Sequence, residues 1–486
     1  MFVIVLLLCA LFCGFVQWTL KRRHMLKLTS KIPVYPGAYP IIGHAYRLMF
    51  GDSVHFLELI KEVSDYTNAN EGIATVWLKM RPHFIITDPT DAAIVLNNCL
   101  DKNYVYQFLS PWLGHGLFTA KLSIWKEHRR LLNPAFSPKV LNGFQGTFDR
   151  QSRKLVESFR DKVGCGPFDP SYCISINALE TICETAIGIP ADGEKVVEER
   201  YVTACHKILS LTMARVLDVW MHFDFIYNLT RSRRERDRAV KILHTSSLRV
   251  IEKRTSEFNN NLHTGDKENK FKPFLELLFD LAANKGVFNH NEMREEVDSI
   301  IFGGHDTTAV LLSYIFVMLG SHPEVQDLVY EELKGIFGES NRSVEKGDLE
   351  LMKYLEIVIF ETLRLYPLGS ILGRDVYKDT QLTGSSCVIS FWGIHRGPLW
   401  GSDAEKFKPE RWLDPSSIPE YPAAFGGFSL GKRMCIGKNY AIRSIKTTIT
   451  HILQNYRIVA ENEKIKLKLD MMLRPIEGHL ISLEAR

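Results

Sequence analysis

Two long apolar stretches stand out from an otherwise mixed pattern. Phe2 to Leu20 carries no charge and is nearly all apolar, close to the roughly 20 residues a membrane-spanning helix needs. Lys21, Arg22 and Arg23 follow at once, with Lys27 and Lys31 beyond. Basic residues after such a span predict that the remainder lies on the cytosolic side. The second stretch, Ala309 to Leu319, follows the polar run Arg294-Glu-Glu-Val-Asp298. It predicts one helix over 289–320 crossing the middle of the protein, with Asn289 and Glu292 spaced as a capping box at its start. Gly303 and Gly304 sit inside that helix, where glycine is unfavourable, so each needs a packing reason. Elsewhere the pattern is mostly helical. Short strand-like stretches fall in Met80–Thr87 and within 376–394, and Arg231–Arg238 reads as a solvated helix face. The polar run 259–270 predicts a loop, and 436–448 a further helix.

Composition narrows this reading only slightly. The chain has 486 residues, 45% of them hydrophobic, and a net charge of +4. Length alone suggests about three domains. The small net charge gives no nucleic-acid signal. Nine cysteines without a C-x-x-C pair predict neither a disulfide framework nor a zinc site, as in a reducing compartment. No charge precedes the first apolar run and no small-residue cleavage site follows it, so a retained anchor is expected rather than a cleaved leader. Pro33, Pro36, Gly37 and Pro40 then make a stiff, turn-rich hinge. These features divide the chain into an anchor (1–20), a basic and Pro-rich hinge (21–43) and a main body (44–486).

Candidate chemistry concentrates around Cys435, in Phe428-Ser-Leu-Gly431-Lys-Arg433-Met-Cys435-Ile-Gly437. A thiolate there could be the axial ligand of a haem iron, which favours O–O cleavage. Gly431 permits a tight turn with positive φ before the ligand, and Gly437 lets the backbone after it lie close to a flat macrocycle. Arg433 suits an anionic propionate, and Phe428 could shield the sulfur. The start of the following helix would stabilise a thiolate. A buried structural cysteine is the competing reading, and four matched neighbours weigh against it.

With this motif the chain resembles the cytochrome P450 superfamily of haem-thiolate monooxygenases, over nearly its whole length. Further motifs carry the resemblance: Glu361-Thr-Leu-Arg364 with Arg411, Gly303-Gly304-His305-Asp306-Thr307-Thr308, Trp125-Lys-Glu-His-Arg129, and Arg374. It implies a mainly α (α+β) fold, with a large helical lobe and a small β-rich lobe behind one N-terminal transmembrane helix. It also implies that Glu361, Arg364 and Arg411 form a cluster locking the cysteine loop. Asp306 and Thr307 would relay protons toward dioxygen, although Thr307 could equally back-bond to the preceding turn. Trp125, Arg129, Arg374 and Arg433 would contact haem propionates, while Gly303 and Gly304 pass close to the macrocycle. His128, His305 and His395 lie in no ligand-type spacing and read as structural.

The implied cofactor is haem b, and the implied partners are O2, NADPH-cytochrome P450 reductase and, optionally, cytochrome b5. The implied location is the endoplasmic reticulum membrane, with the catalytic domain in the cytosol. The sequons at Asn228 and Asn341 would then stay unmodified. Lys432, Lys438, Arg443 and Lys446 would offer a basic docking face, and no glycine fingerprint suggests an internal flavin or nicotinamide domain. Phe108–Leu117 resembles the substrate-facing loop of the family-four clan, which includes fatty-acid ω-hydroxylases and insect members. Many of that clan carry Glu where this chain has Gly303, and that Glu can form an ester to haem, so non-covalent haem is expected here. Thr383-Gly-Ser-Ser-Cys387 replaces a longer strand pair, which suggests an abridged β lobe. The expected substrate is an apolar fatty acid, hormone-like lipid or xenobiotic. Two alternatives are a haem-thiolate isomerase or dehydratase acting on lipid hydroperoxides, and a non-catalytic haem-binding protein.

Overall fold

The computed structural model describes residues 29–49, 51–79, 81–189, 200–264, 273–376, 386–461 and 465–486, with scattered residues between 9 and 27. Most of the first apolar stretch, and 383–385 of the replaced strand pair, lie outside the described residues. A large helical lobe and small sheets make up the rest.

Strands β1 (Ile73–Leu78) and β2 (Arg81–Ile86) form an antiparallel hairpin. Helix α1 (Pro89–Asn98) follows, with Asp88 as N-cap and Pro at its first position, both of which favour initiation. The Pro-rich segment before β1 does not stand clear of the body. Val34 bridges Thr75, Gly43 bridges Leu78, and His44 joins the carbonyl of Tyr35 to the N–H of Trp77. The hinge is therefore sewn to the sheet from residue 33 onward.

Helices α2 (Leu122–Leu132), α3 (Ser171–Ile182), α4 (Arg200–Leu217) and α5 (Arg231–Thr264) build the lobe around one central helix. Helix α5 continues through 259–264, so the loop expected over 259–270 is corrected in its first half. The polar run does not break the helix, and 265–270 lies outside the described residues.

The central helix α6 (His290–Ser321) starts at Asn289 with both halves of the capping box formed. Among the described residues it is the one helix long and apolar enough to cross a membrane, yet 83% of its apolar window is buried inside the protein. Val310 to Leu319 is buried almost without interruption. Each large aliphatic side chain so buried contributes about 1.5–3 kcal/mol, so this helix is the spine of the core.

Helix α7 (Lys353–Leu365) packs on α6 and leads into β3 (Ile371–Asp375) and β4 (Ser386–Ser390). The first sheet runs β1-β2-β4-β3, with β2 and β4 parallel. A parallel neighbour needs a long crossover, and here the helical lobe supplies it. Helix α8 (Lys438–Asn455) begins two residues later than expected, because Gly437 is its N-cap. The hairpin β5 (Leu467–Asp470) with β6 (Met472–Pro475) turns at Met471, at φ 58°.

Candidate active site

The cysteine loop is a closed turn. Cys435 N–H donates to Phe428 O at 3.0 Å, and Met434 N–H to Gly431 O at 3.1 Å. Gly431 has φ 71°, and a Cβ there would meet Leu96 O at 2.7 Å, so only glycine fits between this loop and α1. Phe428 is half-buried on the core. A Cβ at Gly437 would meet nothing within 4 Å except the Cys435 sulfur, at 3.9 Å. The sulfur lies deep in the fold, yet protein atoms do not cover it. Burial pushes its thiol up. The N–H groups of Gly437 and Lys438 and the charge of Arg129 oppose that shift, as a helix start does for a thiolate.

Behind the loop lies a fully paired ionic cluster. Arg364 grips Glu361 through two bonds, at 2.8 and 2.9 Å, and Arg411 Nε donates to the same carboxylate at 2.9 Å. Trp412 Nε1 and the Lys408 N–H donate to the same carboxylate and saturate it. Arg364 also donates to His395 O and Ala404 O. His395 then accepts from Gly426 N–H on Nε2 and donates from Nδ1 to Arg364 O, each at 2.9 Å. Burial holds His395 down to about 3, so it is neutral and single-tautomer. It ties α7 directly to the chain leading into the cysteine loop.

On the other side of the loop three cations meet. Arg433 donates to Ala120 O at 3.1 Å, and its guanidinium lies 4.5 Å above the Trp125 ring. Its Nε and Nη1 find no partner, nor does Nε of the buried Arg374. Arg374 contacts Gly373 O and the Tyr106 phenol. Lys102 donates to Phe118 O at 2.6 Å. Burial and the two arginines hold its ammonium well below the usual range. Burial, then Arg374, brings Arg433 to about 10. No salt bridge reaches these three among the described residues. Buried orphaned donors and mutual repulsion make an anion receptor, which fits the two propionates of haem.

Lys102 was missed by the sequence reading. It enters only because it bridges Arg374 in the sheet. Arg129 makes protein contacts as well. Its bonds run to Asn133 Oδ1 and to Met434 O at 2.9 Å, so it braces the cysteine loop while Trp125 serves Arg433. Two tips on one helix face reach different ends of the site. Lys446 is corrected: it is buried, donating to Leu349 O and paired with Glu356 at 2.6 Å, and it leaves the basic face.

Helix α6 faces the same space with Gly303 exposed and Thr307 half-exposed. A Cβ at Gly303 meets nothing within 4 Å. Gly304 differs: a Cβ would meet Ile182 Cδ1 at 2.5 Å, so packing against α3 is one reason for a glycine there. Thr307 Oγ1 donates to Gly303 O at 2.6 Å. Asp306 is buried, with its carboxylate accepting two bonds from Arg474, at 2.6 and 2.8 Å, and one from His206 at 3.2 Å. Burial raises this carboxyl, but Arg474 and His206 outweigh it and hold it well below the usual range. The acid and alcohol thus point to different partners. Arg474 and His206 carried no sequence signal, since β6 and α4 meet α6 only through the fold.

Residues 33–483 match the family described as Cytochrome P450. The chain belongs to the cytochrome P450 family. It is 32% identical over 473 residues to human Cytochrome P450 4V2, covering 94% of this chain and 90% of that one. It is 31% identical to Cytochrome P450 4c3 of Drosophila melanogaster, covering 99% and 94%. Against Cytochrome P450 4c21 of Blattella germanica it is 30% identical, covering 96% and 95%. The protein is accordingly a haem-thiolate monooxygenase, as this family is, with iron-bound haem as its cofactor.

Proposed function

We propose that this cytochrome P450 inserts one atom of O2 into an apolar, lipid-like substrate. Electrons come from NADPH through a separate reductase, with cytochrome b5 as an optional second donor, at the endoplasmic reticulum membrane. The observation that carries the reading is the uncovered Cys435 sulfur between a locked ionic cluster and an anion receptor. Cys435 would hold the haem iron through its sulfur, and Arg433, Arg374 and Lys102 would hold the propionates. Held there, haem with a thiolate ligand supplies dioxygen activation, because the ligand pushes electron density toward O–O cleavage.

The remaining work belongs to side chains. Gly303 leaves room above the cofactor and offers no carboxylate for an ester, so haem is held without a covalent bond to α6. Thr307 Oγ holds the proton that dioxygen cleavage consumes, and must release its bond to Gly303 O to pass it on. Phe302, Trp112 and Phe118 pack edge to face at 5.1 and 5.5 Å and keep water from the chamber. Lys432, Lys438 and Arg443 remain as a basic face for an acidic reductase.

Two observations support the membrane. Trp220, Phe223, Phe225 and Leu229 are exposed together, as are Tyr39, Ile41 and Ile42. Lys79 joins the two groups, donating its N–H to Ile42 O and placing its ammonium 4.7 Å from the Phe223 ring. Such a patch beside a basic side chain suits a bilayer surface.

The test is the spectrum of the reduced protein with carbon monoxide, followed by turnover of a fatty-acid and xenobiotic panel with NADPH and reductase. Wild type is expected to show thiolate ligation, and Cys435→Ala to lose both spectrum and product. Product from a lipid hydroperoxide without NADPH, and none with it, would overturn the monooxygenase reading of this chain's substrate chemistry.

A further inference from the structure

The polar run at the start of α6 is not merely a solvated approach to the core. Residues 112–120 cross in front of it as a strap, and that strap is bonded through its backbone. Glu295 Oε2 accepts from His115 N–H at 2.8 Å, and Glu296 Oε2 from Leu117 N–H at 3.1 Å. Trp112 O accepts from His244 at 2.8 Å and from Arg294 at 3.4 Å. Asp298 holds Arg294 at 2.8 Å and takes the Ser247 hydroxyl. At the other end Phe118 O and Ala120 O accept from Lys102 and Arg433.

The loop's own sequence fits this fastening. Gly114 has φ 51°, and a Cβ there would collide with the Glu295 side chain. A Cβ at Gly116 would collide with Ser299 Oγ and Glu295 O. Both glycines thus let the strap lie directly on the acidic turn. Glu296 is fully buried, and its other oxygen meets His128 at 2.7 Å. Bonds from amides to a carboxylate are stronger than neutral ones, so the two acids dominate the strap's tether. Trp112 and Phe118, carried by the strap, both contact Phe302, the neighbour of Gly303. Any shift of the strap moves two aromatic walls of the chamber.

We propose that Glu295 and Glu296 are positioning residues that fix the strap's conformation and so set the size of ligand the chamber admits. The proposal rests on the reading that the chamber beside Gly303 receives ligands. The acids touch no ligand themselves. They act through backbone amides, and the glycines are the other half of the same device.

The experiment uses the haem-loaded full chain and two readouts. Hydrogen exchange at the 114–118 amides reports the tether without reference to haem. Spectral titration with imidazole and with 4-phenylimidazole, both nitrogen ligands of the iron, reports chamber size without a known substrate. Glu295→Ala is expected to speed exchange by about tenfold and to change the affinity ratio of the two ligands by about threefold. Glu295→Gln, which keeps an acceptor oxygen, is expected to restore both readouts. Gly116→Ala, acting from the strap side, should reproduce Glu295→Ala, and it stands in for Glu296→Ala should that variant fail to fold. Unchanged exchange, or faster exchange with an unchanged ratio, overturns the proposal. So does a changed ratio without faster exchange. A wild-type protein that binds neither nitrogen ligand sinks the chamber reading instead, and leaves the exchange result to stand alone.

Discussion

Around Glu361 every described charge has an opposite partner within hydrogen-bond reach, whereas around Arg433 three basic groups share a site in which no carboxylate of the described residues reaches salt-bridge distance, Asp101 acting on Arg433 only from further off. The first region is self-sufficient. Its carboxylate is saturated by two arginines, an indole and an amide, and its function is to hold geometry. The second region is incomplete as protein alone, because like charges and unpartnered N–H groups raise its energy until an anion enters. A rigid frame stands behind the thiolate and a receptor stands beside it. Folding therefore fixes the ligand loop independently of the cofactor, while cofactor binding repays the cost of the cationic site.

The contrast can be broken most severely at the frame. Glu361→Ala leaves two buried guanidinium groups unpaired, a loss of about 3–5 kcal/mol. Soluble, haem-containing protein should nearly vanish, read as the yield of the thiolate carbon monoxide spectrum. Thr307→Ala leaves the frame intact and removes a proton donor of a kind that contributes about 10²–10⁴-fold. The expected outcome is NADPH consumption that persists while product per NADPH collapses and peroxide accumulates. Unchanged product yield would remove Thr307 from the proton path.

Arg433→Ala sharpens the comparison because the two regions should respond with opposite sign. It should weaken haem retention by about tenfold, measured by transfer to apomyoglobin, yet raise the melting temperature of the haem-free chain. A matching Arg411→Ala should lower it.

The smallest effect, taken one group at a time, is on pH. Burial holds His395 at about 3, and His83 and His305 at about 4. The unfolded chain protonates these groups near 6.5, so it binds more protons below that value. The stability present above about pH 6.5 is therefore lost as pH falls, at about 1.4 kcal/mol per unit for each group. Denaturant midpoints between pH 7 and pH 5 should show this slope, and His395→Gln should remove about one third of it.

Legibility in the sequence followed the same division. Glu361 and Arg364 are one helical turn apart, and Cys435 sits among its glycines, so local spacing pointed to the frame. The capping box of α6 was readable for the same reason. The receptor and the strap depend on pairings between distant segments. Lys102 needs β3 beside it, and the acids of Arg294-Glu-Glu-Val-Asp298 need the loop carrying Gly114 and Gly116. Asp306 shows the limit most clearly. Its place beside Thr307 suggests a joint task, but nothing local signalled that Arg474 from the C-terminal hairpin and His206 from α4 also bond its carboxylate. Gly304 carried no sign of its packing on Ile182, which needs α3 beside α6.

The crowding of Lys102, Arg374 and Arg433 bears on how the molecule matures in a cell. A newly made chain with crowded basic groups at this site is poised between closing and reopening, and quality control acts on the open form. Any anion that pairs with these groups shifts that balance toward the closed form by mass action.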